Sequence, residues 1–197
     1  MGMKTVALTK EEYIQVIKTI QRGGFPYMDN QGKVRWAKPN ERVSFILELE
    51  ANLGIRVGDV LNLKLSNFVK DGARWRIDII ESKTGKKRDF TVPDILIEHI
   101  EKYCKNHSIG KDENIFDITE RAVQKHLKNT VSYLGLERIS THSFRKFYAT
   151  DIYIKSNYNI ELVRTLLQHS SSHMTQKYIG ITSKEIETAI TNHTIIV

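Results

Sequence analysis

The sequence predicts a mainly α (α+β) fold: several helices around one small three-stranded antiparallel sheet. Three observations predict it. Apolar residues recur at helical spacing behind cap residues such as Thr9 and Asn159. The stretch 66–92 instead alternates apolar and polar residues between two turn signals. With 197 residues, 40% hydrophobic and 27% charged, the chain is long enough for a single domain, 1–197, with one proper core.

Taken in order, Thr9-Lys-Glu-Glu12 is a capping box ahead of Tyr13, Val16, Ile17 and Ile20, which predicts a helix over 10–22 that Gly23-Gly24-Phe-Pro26 stops. The polar run to Lys38 reads as a loop. Its Lys33, Arg35, Trp36 and Lys38 suit either contact with a DNA backbone or a solvated loop with one anchoring Trp. Pro39 marks the start of a second helix through Val43, Ile46, Leu47 and Leu53, with Gly54 as C-cap. A short helix over 57–63 then holds Asp59 near Arg56. Strands are expected at 66–70, 74–80 and 87–92, with turns at Asp71-Gly72 and Thr84-Gly85. Lys83, Lys86, Lys87 and Arg88 read as a basic sheet edge.

Pro93 opens a helix to about His107, with Ile95, Leu96, Ile100 and Tyr103 as its core face. Residues 106–114 form a loop, Ile115-Phe116 a short buried segment, and Thr119 caps a helix ending at Gly135 that bears Arg121, Lys125, His126 and Lys128. A helix over 142–155 offers Phe144, Phe147, Tyr148, Ile152 and Ile154 to the core. Asn159 caps the next, which buries Leu162, Val163, Leu166 and Leu167 and delivers His169 at its end. Ser172 starts a short helix bearing Tyr178. Beyond it Thr182 to Glu185 forms a second capping box, with Ile186, Ala189 and Ile190 on one face.

Composition narrows the function. A net charge of +7 and a pI near 9.4 suit a polyanionic partner, because neutralising phosphates releases counterions. The single Cys104 has no partner for an internal disulfide and no His or Cys at metal spacing, which points to a reducing, intracellular setting. No apolar run approaches the roughly 18 residues of a membrane span, and the start MGMKTVALTKEEY lacks a signal-peptide pattern.

The chemistry concentrates in the last third. His142 and Arg145 are three residues apart and project from one helical face, placing an imidazole beside a guanidinium fork that matches two phosphate oxygens. Arg56 is the candidate second clamp. Each of these residues alone is most simply a solvated or core side chain. The ordered set is more specific: an Arg after a Gly-ended helix, a Lys in a hairpin, His-x-x-Arg, then Leu-x-His-Ser-Ser with a Tyr nine positions after its His.

That set resembles the catalytic domain of the tyrosine recombinases, the phage-integrase family. The stretches that carry it are ANLGIRVGDVLNL (51–63), ESKTGKKRDFTVP (81–93), THSFRK (141–146) and LLQHSS…TQKYIG (166–180). Gln168 departs from the Gly usual before the His, a change expected to alter the local turn. The resemblance implies that Tyr178 attacks a DNA phosphodiester while Arg56 and Arg145 clamp the phosphate. It also implies that Lys83, with Lys86 as competitor, protonates the leaving oxygen. His142 is then base or hydrogen-bond partner, His169 donates to a phosphate oxygen, and Asp59 orients Arg56. Lys86, Arg121, Lys125 and Lys128 would contact DNA.

No metal or other cofactor is expected, since cationic side chains supply the charge. Expected partners are double-stranded DNA and other copies of the chain: a homotetramer on DNA, with a monomer possible in solution, and 181–197 docking on a neighbouring protomer. By the same resemblance the chain is expected to be the catalytic domain without the family's usual N-terminal DNA-clamping domain, either a fragment or a reduced enzyme, and bacterial or phage-encoded and cytoplasmic. Rival readings are a type IB topoisomerase, a non-catalytic DNA-binding module of the same fold, and a metal-dependent nuclease or phosphatase, which would need clustered carboxylates.

Overall fold

In the computed structural model, which describes residues 5–179 and 191, the predicted capping box opens the first helix: Thr9 Oγ1 accepts from the Glu12 amide and Glu12 Oε2 from the Thr9 amide. This helix, α1, spans Lys10–Arg22. The expected loop after it is partly a hairpin, in which β1 (Pro26–Met28) pairs antiparallel with β2 (Val34–Trp36). Side-chain bonds that no period reveals close its turn. Asp29 Oδ1 accepts from the amides of Gln31 and Lys33, and Oδ2 from Arg35 Nε. Trp36 is no anchor, being 68% exposed; Phe25, fully buried, fixes the hairpin to the body.

Helix α2 (Glu41–Leu53) starts two residues later than Pro39 suggests, because Asn40 Oδ1 caps the Val43 amide. It is the central helix, with Val43, Phe45, Ile46, Leu47, Leu49 and Leu53 all buried. Gly54 ends it in the left-handed conformation, φ +61°. A Cβ there would stand 2.3 Å from the Tyr148 ring, so the glycine serves both the turn and a close approach. The chain leaves this turn as α3 (Val57–Leu61) and a 3-10 turn, Leu65–Asn67.

Three strands follow, β3 (Phe68–Asp71), β4 (Arg74–Ile80) and β5 (Lys87–Val92), antiparallel in that order. Helix α4 (Asp94–Asn106) buries Ile97, Ile100, Tyr103 and Cys104. Ile95 is 77% exposed, against expectation, because the spacing of 97, 100 and 104 turns it to the opposite side. The remaining described helices are α5 (Glu120–Tyr133), α6 (Thr141–Lys155), α7 (Ile160–Leu167) and α8 (Ser172–Ile179). Two other expected core residues, Ile154 and Leu162, are exposed. Val163 and Leu167, four apart, define the buried face of α7 and leave Leu162 off it.

The main core joins α1, α2, α4 and α5 to the sheet, and includes the expected Ile115 and Phe116. A second, smaller cluster of Ala149, Val163 and Leu167, flanked by Tyr148, Ile152 and Tyr178, seats α7 and α8 on α6. The Thr182 capping box and the segment 181–197 lie outside the described residues, Thr191 excepted. Among the described residues no helix is long and apolar enough to cross a membrane.

Gly54→Ala adds left-handed strain to a clash with the Tyr148 ring. It is expected to cost about 3 kcal/mol of unfolding free energy by urea denaturation. Gly72→Ala, at φ +61° with open space around it, should lose only the backbone part, about 1 kcal/mol.

Candidate active site

The Gly54 turn, the β4–β5 loop, the first turns of α6 and the end of α7 meet around one buried carboxylate. Glu81, 1% exposed, accepts from Arg56 Nη1 at 2.7 Å and from the Thr84 hydroxyl at 2.7 Å, both on Oε2. Its Oε1 faces Arg88 Nε at 3.6 Å and Arg145 Nη1 at 3.9 Å. Arg145 is itself buried and donates from Nη2 to the Leu167 carbonyl at 3.1 Å. Arg88 donates from Nη1 to the Leu166 carbonyl and from Nη2 to the Gly54 carbonyl. Three guanidiniums thus share one carboxylate.

His169 arrives through the left-handed Gln168, φ 55° and ψ 35°, the conformation that makes Gly the easy choice at this position. Here the side chain offsets the strain, since Gln168 Nε2 donates to the Lys87 carbonyl at 2.6 Å. His169 Nδ1 lies 3.1 Å from Thr175 Oγ1, and its ring meets Tyr178 edge-on with centroids 5.1 Å apart. The Tyr178 hydroxyl is buried with no hydrogen-bond partner, and Lys146 Nζ stands 5.3 Å from the Tyr178 ring centroid.

Burial would raise the Glu81 pKa, but bonds from Thr84 and Arg56 and the charges of Arg56 and Arg88 outweigh it, so the carboxylate sits below its ordinary value and ionised. Burial, then the charges of Arg145, Arg56 and Arg88, bring His169 down to about 4, leaving it neutral at pH 7. His142 is lowered by burial and by Arg145 and Arg56. Burial lifts Tyr178 to about 12 against the pull of Arg145, so forming its phenolate at pH 7 would cost about 7 kcal/mol. Glu50, fully buried, is raised well above the carboxylate range by burial, although Arg145 opposes this.

Comparison with known proteins bears on this arrangement directly. The family model described as "Phage integrase family" matches residues 7–185. The chain belongs to the phage integrase family. Within that family it is 30% identical over 149 residues to the "Probable integrase/recombinase YoeC" of Bacillus subtilis (strain 168), covering 72% of this chain and 79% of that one. It is 32% identical over 142 residues to a "Probable integrase/recombinase" of Acholeplasma phage L2, covering 69% of this chain and 47% of that one. The fold matches XerH site-specific recombinase, bound to palindromic difH substrate in a post-cleavage complex. That match has a TM-score of 0.68 and 19% identity, over 96% of this chain and 53% of that one. The chain therefore spans about half the length of the last two.

Of the residues that the family resemblance singles out, the fold brings Arg56 and Arg145 to Glu81 and sets His169 and Tyr178 within their electrostatic reach. His142, exposed on the first turn of α6, lies within electrostatic reach of Arg145, Arg56 and Lys83. Lys83 stands exposed in the loop between β4 and β5. Lys86 Nζ donates to the Gln168 carbonyl at 3.2 Å, next to His169. The expected pairing of Asp59 with Arg56 is not formed: Asp59 Oδ1 accepts from the Ser82 amide at 2.8 Å and steadies the lysine loop, while Glu81 takes the arginine.

Glu81 and Arg88 are the site residues that motif reading missed. Strand alternation could have found both, since Arg88 shares its face of β5 with Phe90 and Val92, and Glu81 continues the Trp75, Ile77, Ile79 face of β4.

Because the native state keeps His169 neutral down to about pH 4, the unfolded chain binds more protons between there and its ordinary pKa of 6.5. Stability is expected to be flat above pH 6.5 and to fall as pH drops through that window in thermal denaturation. His169→Gln should flatten the decline.

Proposed function

We propose that residues 5–179 form the catalytic domain of a site-specific DNA recombinase that cuts and rejoins strands through a 3′-phosphotyrosyl link. The observation that carries this reading is the Tyr178 hydroxyl. It is buried and unpartnered, in the field of Arg145 and Arg56 and against a neutral His169.

The residues divide the reaction as follows. Arg56 and Arg145 hold the non-bridging oxygens and stabilise the charge that gathers on five-coordinate phosphorus. Tyr178 Oη forms a bond to phosphorus as the bond to the 5′-oxygen breaks; the phenolic proton leaves with His142 as base or hydrogen-bond partner, and Lys83 gives a proton to the departing oxygen. His169, whose Nδ1 lies 3.1 Å from Thr175 Oγ1, donates to a phosphate oxygen through Nε2 in the tautomer that carries its hydrogen there. A 5′-hydroxyl of a second strand then attacks the phosphotyrosine, restoring a phosphodiester and releasing Tyr178. The phenolate is never free, so the 7 kcal/mol ionisation cost is avoided by transferring the proton as the phosphate arrives.

We assign the duplex to the basic face of α5. A groove of about 580 Å³ separates α5 from the β1–β2 hairpin, lined by Arg121, Lys125, Lys128, Asn129 and Tyr27. Its charge and the adjoining Lys33, Arg35 and Lys38 suit backbone phosphates. Strand exchange requires paired sites, and we assign the working unit as a homotetramer on DNA with 181–197 docking between protomers. A metal-dependent nuclease would need clustered carboxylates, and among the described residues no group of three or more His, Cys, Asp or Glu could hold a metal.

Incubated with nicked suicide DNA bearing its target site, the protein should form a covalent adduct that Tyr178→Phe abolishes; an adduct formed by the variant would remove Tyr178 from the role. Arg56→Ala or Arg145→Ala should slow adduct formation by roughly 10²-fold or more. Replacing both Arg121 and Lys125 by Ala should weaken binding and reduce the salt slope of log K by about 2. Supercoil relaxation without exchange between paired sites would move the reading to strand rotation.

A further inference from the structure

The catalytic roles above leave Glu81 unassigned. A buried carboxylate is costly unless its partners repay it, and this one sits among three guanidiniums, two of them almost fully buried. Its two oxygens are used differently. Oε2 is saturated by Arg56 and by Thr84, the residue after Lys83, so one atom joins an arginine of the proposed phosphate clamp to the lysine loop. Oε1 is buried without a hydrogen bond and faces Arg88 and Arg145 at ion-pair distance.

Arg88 extends the linkage through main-chain atoms. Its two bonds reach the Leu166 carbonyl, just ahead of His169, and the Gly54 carbonyl, just ahead of Arg56. Four segments that carry proposed catalytic groups therefore converge on a single carboxylate. The charge count is also informative. Three guanidiniums against one ionised carboxylate leave the pocket positive before any phosphate enters, and without Glu81 the three would repel one another in a poorly solvated space.

We propose that Glu81 is a positioning residue for DNA cleavage, holding Arg56 and, through Thr84, the Lys83 loop where both engage one phosphodiester. The proposal rests on the recombinase reading. Arg56, 25% exposed, is the member free to swing towards solvent once its anchor is lost; Arg88 and Arg145 keep their main-chain bonds. Loss of the carboxylate charge makes the pocket more positive, so the positioning role and a merely structural one predict opposite effects on DNA affinity.

The test measures two quantities on each variant: the single-turnover rate of adduct formation on suicide DNA, and the Kd of non-covalent binding. Glu81→Gln should slow adduct formation roughly 10- to 100-fold while Kd stays equal or becomes tighter. Glu81→Asp keeps the charge but shortens its reach. It should remain folded and show a smaller rate loss, which keeps the question answerable if the glutamine variant fails to fold. A folded Glu81→Gln cleaving at the wild-type rate would overturn the proposal, as would a Kd that weakens by the same factor as the rate. If Glu81→Gln does not fold, a Glu81→Asp that cleaves at the wild-type rate overturns it too. Absence of any wild-type adduct would instead overturn the recombinase reading itself.

Discussion

Like charges cannot be buried together without a counter-ion, and this constraint governs how the catalytic elements are assembled. Arg88 and Arg145 are almost inaccessible, and Arg56 is only partly exposed. They come from three parts of the chain, and the Glu81 carboxylate is what permits them to share a space. Much of the fold can be understood as bringing that carboxylate into place. The antiparallel sheet carries it at the end of β4, the Ser82 amide is fixed to Asp59 of α3, and the buried face of α2 brings the Gly54 turn alongside. Main-chain carbonyls at Gly54, Leu166 and Leu167 then accept from Arg88 Nη2, Arg88 Nη1 and Arg145 Nη2, while Arg88 Nε and Arg145 Nη1 face Glu81 Oε1 at ion-pair distance. The Arg88–Leu166 bond ties the end of α7 to β5, the Arg145–Leu167 bond ties it to α6, and the Arg88–Gly54 bond ties β5 to the turn after α2.

The pocket is in a resting condition. Tyr178 and His169 are both neutral, the positive charge exceeds the negative, and the phenol has no acceptor. The excess charge and the unpaired hydroxyl would be costly in an ordinary core, where buried polar groups are paired. Together they fit the phosphodiester proposed as this site's substrate, which would supply the acceptor oxygens.

What was legible in the sequence was whatever depends on near neighbours. The capping box at Thr9, the caps at Thr119 and Asn159, the Gly54 stop and the strand alternation each involve residues a few positions apart, and the structure has them all. His142 and Arg145 were visible as a pair for the same reason. Long-range choices were not legible. Asp59 and Glu81 are both acidic and both near Arg56, and only the approach of the β4–β5 loop decides that Glu81 takes the guanidinium. Arg88 read as one of a run of surface cations, because composition hid the parity that turns it inward. The β1–β2 hairpin was missed since Asp29 bonds, and not apolar alternation, hold its turn.

The seating of Tyr178 separates two kinds of stability. Helix α8 has eight residues, too few to persist alone in water, and it rests on a satellite cluster of Ala149, Val163 and Leu167 instead of the main core. Its docking free energy is therefore a fraction of the domain's, which sets the helix that bears Tyr178 apart from the main core. Local opening at α8 costs less than global unfolding, so under the recombinase reading the Tyr178 hydroxyl can be withdrawn while the arginine–Glu81 cluster stays assembled.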